Sequence, residues 1–193
     1  ADALLVHHGF FWKGEAQPLS GVKGRRVRAL NRAGISLLAY HLPLDAHAQL
    51  GNNRRLADLL EVRGPQPAGG EDDLLWSGEL TQPTPAVEFA ARVEEKLGRA
   101  PLHIAVSERP LSRLAWCTGA AQGYIDRAVA AGAEVYISGE VSEPTVHAAR
   151  EQGIAYVAAG HHATERYGVQ ALARHLADRF GLEWTFIDDD NPV

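Results

Sequence analysis

A short unit occurs twice in this chain, and that repeat limits the possible folds more than any other feature of the sequence. The segment Val27–Ala39 reads VRALNRAGISLLA, and Val146–Ala158, which lies 119 residues further on, reads VHAAREQGIAYVA. Each predicts a short helix, a Gly-Ile junction and a strand. Gly34 and Gly153 stand where each helix would end, a position at which a left-handed cap favours glycine. The chain is therefore expected to contain two copies of one helix-strand unit.

An apolar strand precedes each copy. Ala1–Val6 reads ADALLV and leads into the sequence HHG, whereas Ala133–Ser138 reads AEVYIS and leads into the sequence GE. Continuous apolar strands of this kind are typical of parallel sheets that are buried on both faces. Strand, helix and strand together form a βαβ unit. We therefore predict an α/β fold of duplicated βαβ units, with mainly parallel sheets packed by helices.

The repeat also predicts the domain organisation. We expect residues 1–193 to form a single domain built from two related halves, at about 1–62 and 111–193. A connecting segment at about 63–110 would join them. The second copy is preceded by a further strand and helix, whose equivalent in the first copy would lie before residue 1. We therefore expect an N-terminal βα portion to be missing from this sequence.

Local patterns predict the remaining elements. The stretch Gly64–Asp73 is rich in Pro, Gly and acidic residues and is expected to be a loop. A strand is predicted at Leu74–Leu80, and a helix is predicted to begin at Pro85 and end at Leu97. The last helix is expected at about Gly168–Phe180, followed by a closing strand at Trp184–Ile187.

The composition excludes several classes of protein. Hydrophobic residues make up 46% of the chain and charged residues 22%, a globular rather than a disordered balance. No apolar run approaches the ~20 residues that a membrane-spanning helix needs, and we see no secretory signal pattern. The single cysteine, Cys117, cannot form an internal disulfide, which favours a reducing, cytoplasmic location.

The distribution of charge argues against nucleic-acid binding. The net charge is −5, and no strongly basic face is predicted, although a nucleic-acid footprint requires one. The densest basic cluster has the pattern of the solvated start of a helix, and it consists of Lys23, Arg25, Arg26 and Arg28.

Histidines and carboxylates gather where predicted strands end. In open α/β sheets, chemistry takes place just beyond the carboxyl ends of the strands. Six of the nine histidines lie within a few residues of such an end: His7, His8, His41, His47, His161 and His162. Randomly scattered surface histidines would not concentrate in this way, although a purely structural role for them is the alternative.

These residue types are typical of a metal site. Imidazole and carboxylate ligands suit Zn, Mn, Fe, Ni or Co. His161 and Glu165 are spaced i, i+4 and would share one face of a helix. Together with His7, His8 and Asp45 they make five ligands, more than the three that a mononuclear catalytic site needs. This surplus favours two divalent ions, and a carboxylate such as Glu165 can bridge them.

Long motifs in the same regions resemble a known family. They are VHHGFFWKGE at Val6–Glu15, HLPLDAHAQLGNN at His41–Asn53, the run from Ser138 to Gly168, and the closing TFIDDDNP. The chain resembles the Nif-three-like dinuclear-metal proteins, often labelled GTP cyclohydrolase I type 2 homologues, and is most similar to their short bacterial form. The resemblance covers essentially the whole chain.

The resemblance implies a fold, a site and an assembly. The fold would be a duplicated α/β fold, and the assembly a ring-shaped homohexamer. By motif match, the ligands of a two-metal site carry over to His7, His8, Asp45, His161 and Glu165, with Glu165 as the expected bridge. The family leaves two kinds of function open, a metal-dependent hydrolase and a non-enzymatic metal-binding protein with a regulatory or interaction role.

Other residues near the strand ends have candidate roles in a hydrolase. His162 is a candidate proton shuttle, while His41 and Glu140 would line the cavity or orient a ligand ring. Trp12 could stack on a planar base, and Lys13 could meet a phosphate. A small-molecule substrate such as a nucleotide or another heterocycle is the corresponding expectation.

Overall fold

The computed structural model describes residues 1–15, 18–70, 73–189 and 191–193. Within these ranges the chain is an α/β protein with helices α1 to α7 and strands β1 to β8. The helices are α1 Gly21–Ala33, α2 Leu42–Ala46, α3 Asn52–Leu59, α4 Ala86–Leu97, α5 Ile125–Ala130, α6 Glu143–Gln152 and α7 His161–Phe180. The strands are β1 Ala3–Val6, β2 Ser36–Ala39, β3 Arg63–Pro67, β4 Trp76–Thr84, β5 Leu102–Ile104, β6 Leu111–Cys117, β7 Val135–Ser138 and β8 Ala155–Ala158. None of the helices so described is long and apolar enough to cross a membrane.

The strands form two sheets. β1 and β2 pair in parallel, and the other six strands form a sheet of order β3-β4-β6-β7-β8-β5. β6, β7 and β8 run parallel to one another, as the βαβ prediction requires. β3, β4 and β5 pair antiparallel with their neighbours, so the larger sheet is mixed rather than mainly parallel. All three antiparallel strands come from the segment that connects the two halves.

The two predicted repeats are both βαβ units. In the first, α1 connects β1 to β2, and in the second, α6 connects β7 to β8. Both pairs of strands are parallel, and both helices end at a glycine in the left-handed conformation, Gly34 and Gly153, each with φ of 67°. The prediction of a duplicated α/β fold is confirmed.

The central strands β6, β7 and β8 of the six-stranded sheet are buried on both faces. Along β6, Leu114 and Trp116 face a cluster that includes Phe89 of α4, whereas Ala115 and Cys117 face the opposite cluster. This alternation follows from the period of two along a strand. Apolar side chains on both faces explain why the strands of the second repeat have continuous apolar sequences.

Three local predictions are wrong. The first-repeat strands β1 and β2 are exposed or half-buried, because β1 and β2 pair only with each other among the described residues. Trp184–Ile187 is not a strand, since the described residues of this segment join no ladder. The first part of the predicted loop at Gly64–Asp73 belongs to β3, because β4, the next strand along the chain, supplies backbone partners to this Pro- and Gly-containing segment. Glu71 and Asp72 lie outside the described residues.

The last helix begins earlier than expected. α7 starts at His161 directly after β8, rather than near Gly168, and it contacts β1 of the smaller sheet. Its first turns therefore lie between the carboxyl ends of the parallel strands of both sheets, and this position sets the location of the site.

Candidate metal centre

The structure brings the five predicted ligands together. His7 and His8 follow β1, Asp45 lies in α2 shortly after β2, and His161 and Glu165 lie in the first turns of α7 after β8. Strand ends from the two sheets thus meet across one site, as the carboxyl-end rule predicts. Whether these residues bind metal stays a prediction.

The carboxylate of Glu165 is the centre of this arrangement. Its Oε2 lies 2.8 Å from His161 Nε2, 3.3 Å from His8 Nε2 and 3.5 Å from His7 Nε2. The side chain is only 9% exposed. One carboxylate oxygen therefore faces three imidazole nitrogens from two separate segments of the chain.

Three of these atoms are buried without a hydrogen-bonding partner of acceptable geometry within the described residues. They are His7 Nε2, His161 Nε2 and Glu165 Oε2. Buried polar atoms in native proteins nearly always have partners, and each exception needs an explanation. Imidazole nitrogens and a carboxylate oxygen that converge without aligned partners are the arrangement that a cation site requires.

The ligand atoms divide into an inner and an outer group. His7, Asp45 and Glu165 form the inner group, which is buried throughout, while His8, His161 and Glu165 form the outer group, which is partly open. Within each group the ligand atoms lie within 4.8 Å of one another. Glu165 belongs to both, which is the position of a bridging ligand between two ions.

His7 is oriented by the backbone. Its Nδ1–H donates to the carbonyl of Tyr40 at 2.8 Å, so a neutral ring keeps its lone pair on Nε2. Nε2 lies 3.3 Å from Asp45 Oδ2. Burial alone would lower the pKa of His7, but the carboxylates of Asp45 and Glu165 outweigh it and raise the pKa to about 9.

The surroundings lower the pKa values of both Glu165 and His8. Burial would raise the pKa of Glu165, but the rings of His161 and His7 hold it at about 2. Burial lowers the pKa of His8, and the neighbouring imidazoles add to this effect against the opposing charge of Glu165. Glu165 is therefore ionised and His8 neutral at pH 7, which are the forms in which both bind metal. His7 and His161, whose pKa values are raised to about 9, would carry protons at pH 7 that a bound metal ion would displace.

Glu140 orients His161. Its Oε1 accepts a hydrogen bond of 2.7 Å from His161 Nδ1, which directs Nε2 of that ring toward Glu165. Glu165 and then Glu140 raise the pKa of His161 to about 9 against the effect of burial. A carboxylate behind a ligating histidine fixes its tautomer and makes the ring more basic.

We expect Glu140→Gln to weaken metal binding by about 10–100-fold, the usual cost of losing such a carboxylate. The amide keeps the size of the side chain but loses the charge that makes His161 a stronger ligand. A competition titration against a chelator would measure the change. Glu143→Gln is the matched control, because Glu143 also pairs with a histidine, His147, but at the exposed surface. Equal affinities in the two variants would contradict the orienting role.

Buried amides position Asp45. Asn52 Nδ2 donates to Asp45 Oδ1 at 2.8 Å, which leaves Oδ2 facing His7. The Asn52 carbonyl oxygen Oδ1 accepts from the backbone N–H of Gly168 at 2.7 Å, so the same side chain joins α3 to α7. Asn53 Nδ2 donates to the backbone carbonyl of Asp45 at 3.2 Å. Both asparagines are fully buried, and they hold the inner group in place.

Gly119 gives the backbone room to approach Glu165. It follows β6 and has φ of 68°. A Cβ at this position would lie 1.9 Å from Glu165 Oε1 and 3.2 Å from His161 Nε2. Only glycine fits against the carboxylate without displacing it.

A large cavity leads to the outer group. Its volume is about 820 Å³, and its lining includes His7, His8, His161 and Glu165. His162 also lines it, but its Nε2 pairs with Asp188 Oδ1 at 2.8 Å rather than with the inner or the outer group. The side chain of His8 is 45% exposed, so a small molecule can reach the outer group from this cavity.

An aromatic cluster lies beside His8. The ring centroid of His41 is 5.1 Å from those of both His7 and His8, and the Trp12 ring meets His41 edge-on at 4.9 Å. Trp12 is 43% exposed, so part of its side chain is open to solvent.

The supporting residues were largely missed by sequence reasoning. Asn52, Asn53 and Gly119 each form part of the site through contacts with distant segments. The adjacent asparagines at the end of HLPLDAHAQLGNN were a signal, since two buried amides need polar partners. His41 and Glu140 were expected near the cavity, and the structure places Glu140 against His161 and His41 against His7 and His8.

A sequence profile of the Duf34/NIF3 family (NGG1p interacting factor 3) matches residues 1–192. Two curated relatives carry the name GTP cyclohydrolase 1 type 2 homolog. The one from Allochromatium vinosum is 53% identical over 193 residues, and the match covers 100% of this chain and 76% of the relative. The one from Pseudomonas aeruginosa is 55% identical over 195 residues, which covers 100% of this chain and 77% of the relative.

Solved structures share the fold. A structural-genomics structure described as protein ybgI, of unknown function, superposes with a TM-score of 0.95 at 47% identity and covers 100% of this chain and 77% of its own. The protein TTHA1606 from Thermus thermophilus has a TM-score of 0.88 at 36% identity, with coverage of 100% and 76%.

Proposed function

The chain belongs to the Duf34/NIF3 family, and on that basis we propose that it binds two divalent metal ions and acts as a metal-dependent hydrolase. One observation carries the proposal: Glu165 Oε2 lies within 3.5 Å of ring nitrogens of His7, His8 and His161, and the buried atoms among them lack aligned partners. Asp45 adds a second carboxylate to the inner group. The donor set of three imidazoles and two carboxylates fits Zn, Mn, Fe, Ni or Co.

The five candidate ligands would bind the two ions as two groups that share Glu165. His7 and Asp45 would hold one ion, His8 and His161 the other, and Glu165 would bridge them. Bound ions would supply Lewis acidity and an activated water, which is the chemistry that hydrolysis requires. The backbone carbonyl of Tyr40 and the carboxylate of Glu140 bind Nδ1 of His7 and His161, respectively. Nε2 of each ring is thereby oriented toward the site before a substrate arrives.

The surroundings of the outer group favour a hydrolase over a closed metal site. Catalytic sites keep an open position for water or substrate, whereas structural sites are fully ligated by protein. The cavity of about 820 Å³ and the half-exposed ring of His8 provide such an opening. His162 lines the cavity and is our candidate for moving protons between the site and solvent, with Asp188 holding its Nε2.

A planar heterocycle, such as a nucleotide base, is the substrate class that we propose. The partly exposed ring of Trp12 lies next to His41 and near His8, where a flat ring could stack beside the outer group. Lys13 follows Trp12 directly in the sequence and would provide positive charge for a phosphate. The relatives' name, GTP cyclohydrolase 1 type 2 homolog, is compatible with hydrolysis of such a ring.

Metal analysis followed by a substrate screen tests the proposal. Protein purified without added metal and then equilibrated with Zn²⁺, Mn²⁺ or Co²⁺ should hold two ions per chain. A broad hydrolase screen should then find an activity that chelation removes and metal restores. Failure to retain any ion would contradict the metal centre. Two bound ions without turnover would instead favour a non-enzymatic regulatory or interaction role.

We also propose that the chain forms a ring-shaped homohexamer. Support comes from Leu38, Tyr40 and Leu42, three large apolar side chains close together in sequence that are 43%, 46% and 50% exposed. Apolar side chains left exposed in one region are typical of interaction surfaces. Light scattering coupled to size-exclusion chromatography should give the mass of six chains, and a monomer at micromolar concentration would contradict the assembly.

A further inference from the structure

In addition to the inner and outer groups, His41 forms a third group with the imidazoles of His7 and His8. The ring nitrogens that these three residues offer lie within 4.8 Å of one another. No other described residue hydrogen-bonds the ring of His41, whereas His7 is fixed by the carbonyl of Tyr40. The ring of His41 packs against the rings of His7, His8 and Trp12, the last of which it meets edge-on. Its nitrogens are therefore free to bind a ligand.

The three imidazoles differ in exposure. The side chain of His8 is 45% exposed, His41 is half-buried, and the side chain of His7 is only 6% exposed. His8 also belongs to the outer group, and His7 to the inner one. The three-histidine group thus shares one member with each carboxylate-containing group and extends from solvent to the buried centre.

Neither carboxylate-containing group includes His41, which argues against a permanent ligand. Each group already offers three protein ligands, the number found with an open position in catalytic sites. The inner group is also buried throughout, and removing a divalent ion's hydration shell in such a place is costly. If imidazoles replaced the water molecules of that hydration shell one at a time, the energy barrier to entry of the ion would be lower.

We propose that His41 is a loading ligand, which binds an incoming divalent ion together with His8 and His7 before the ion moves to the carboxylate-containing positions. The inference rests on the proposed function, since it requires that the centre binds ions. It applies to ions that accept imidazole readily, such as Zn²⁺ and Co²⁺. A ligand used only on the way in changes the rates of binding and release, because it lowers the barrier between free and bound states without contributing to the bound state.

The kinetics of cobalt binding test this role. His41→Phe keeps a flat ring against Trp12 but removes both nitrogens. Metal-free protein mixed rapidly with Co²⁺ should take up the ion about tenfold more slowly in this variant, as expected for a modest rise in the barrier. Release to a chelator should slow by the same factor. The equilibrium affinity, the number of bound ions and the visible spectrum of the bound Co²⁺ should stay as in the unchanged protein.

Two further variants complete the experiment. His103→Phe makes the same change at an exposed histidine of β5, outside the cluster, and should bind Co²⁺ at the unchanged rates. His41→Gln removes the imidazole with a polar side chain, so the role stays testable if His41→Phe fails to fold.

The possible results distinguish a failure of the loading role from a failure of the metal centre itself. Unchanged uptake rates in the His41 variants would overturn the proposal. A weaker affinity or an altered spectrum would also overturn it, because His41 would then be a permanent ligand. If the unchanged protein bound no Co²⁺ at all, the proposed metal centre would fail first and the loading role with it.

Discussion

Replacing Glu165 with glutamine should lower the bound metal from two ions per chain to one or none. Gln keeps the size of the side chain but removes the charge that faces the nitrogens of His7, His8 and His161. A bridging carboxylate neutralises two adjacent cations at once, so without it each ion loses a ligand and their mutual repulsion is less compensated. Elemental analysis after equilibration with Zn²⁺ would count the ions.

The fold should survive this substitution. The large core cluster of the six-stranded sheet is apolar and includes Phe89, Trp116 and Ile137, none of which depends on Glu165. Glu151→Gln makes the same chemical change at an exposed position of α6 and should keep two ions. Thermal melts of both variants separate a metal defect from a folding defect. If Glu165→Gln retained two ions per chain, the bridging assignment would be lost, and with it the main support for the proposed mechanism.

Gly119→Ala should abolish binding of the bridged pair although it alters no ligand. The new Cβ would lie 1.9 Å from Glu165 Oε1, far inside van der Waals contact. The end of a glutamate side chain can move more readily than the backbone, so the carboxylate should swing away from His161. We therefore expect the variant to fold and to bind one ion or none, as measured by elemental analysis.

Gly153→Ala is the matched control for Gly119→Ala. Gly153 has φ of 67°, close to the 68° of Gly119, but a Cβ there would meet nothing within 4 Å. Both variants carry the same backbone penalty for a left-handed non-glycine residue, about 1–2 kcal/mol. Only Gly119→Ala should lose metal, and two ions per chain in that variant would contradict the close approach that the structure shows.

The positions of the candidate ligands His7, His8, His161 and Glu165 could be predicted from sequence because each depends on a local pattern. His7 and His8 follow an apolar strand, and the i, i+4 spacing of His161 and Glu165 places them on one face once a helix forms. The repeat similarly predicted both βαβ units, since the periods of strands and helices are properties of short segments. These features do not depend on contacts with distant segments of the chain.

Other features depend on contacts between distant segments. The partners of Asn52 include Gly168, which lies 116 residues away, and the Thr118 N–H donates to Asn53 Oδ1 across 65 residues. The predicted strand at Trp184–Ile187 fails for the same reason, because a strand exists only where another strand pairs with it.

The sequence by itself therefore determined the α/β class, the two βαβ units and the chemical types of the candidate ligands. Only the tertiary structure decided that Glu165 Oε2 faces three imidazoles, that Gly119 lies against the same carboxylate, and that His41 joins His7 and His8. The physical reason is that side-chain periodicity is encoded over a few residues, whereas the meeting of two sheets at one site follows from packing between elements far apart in the chain.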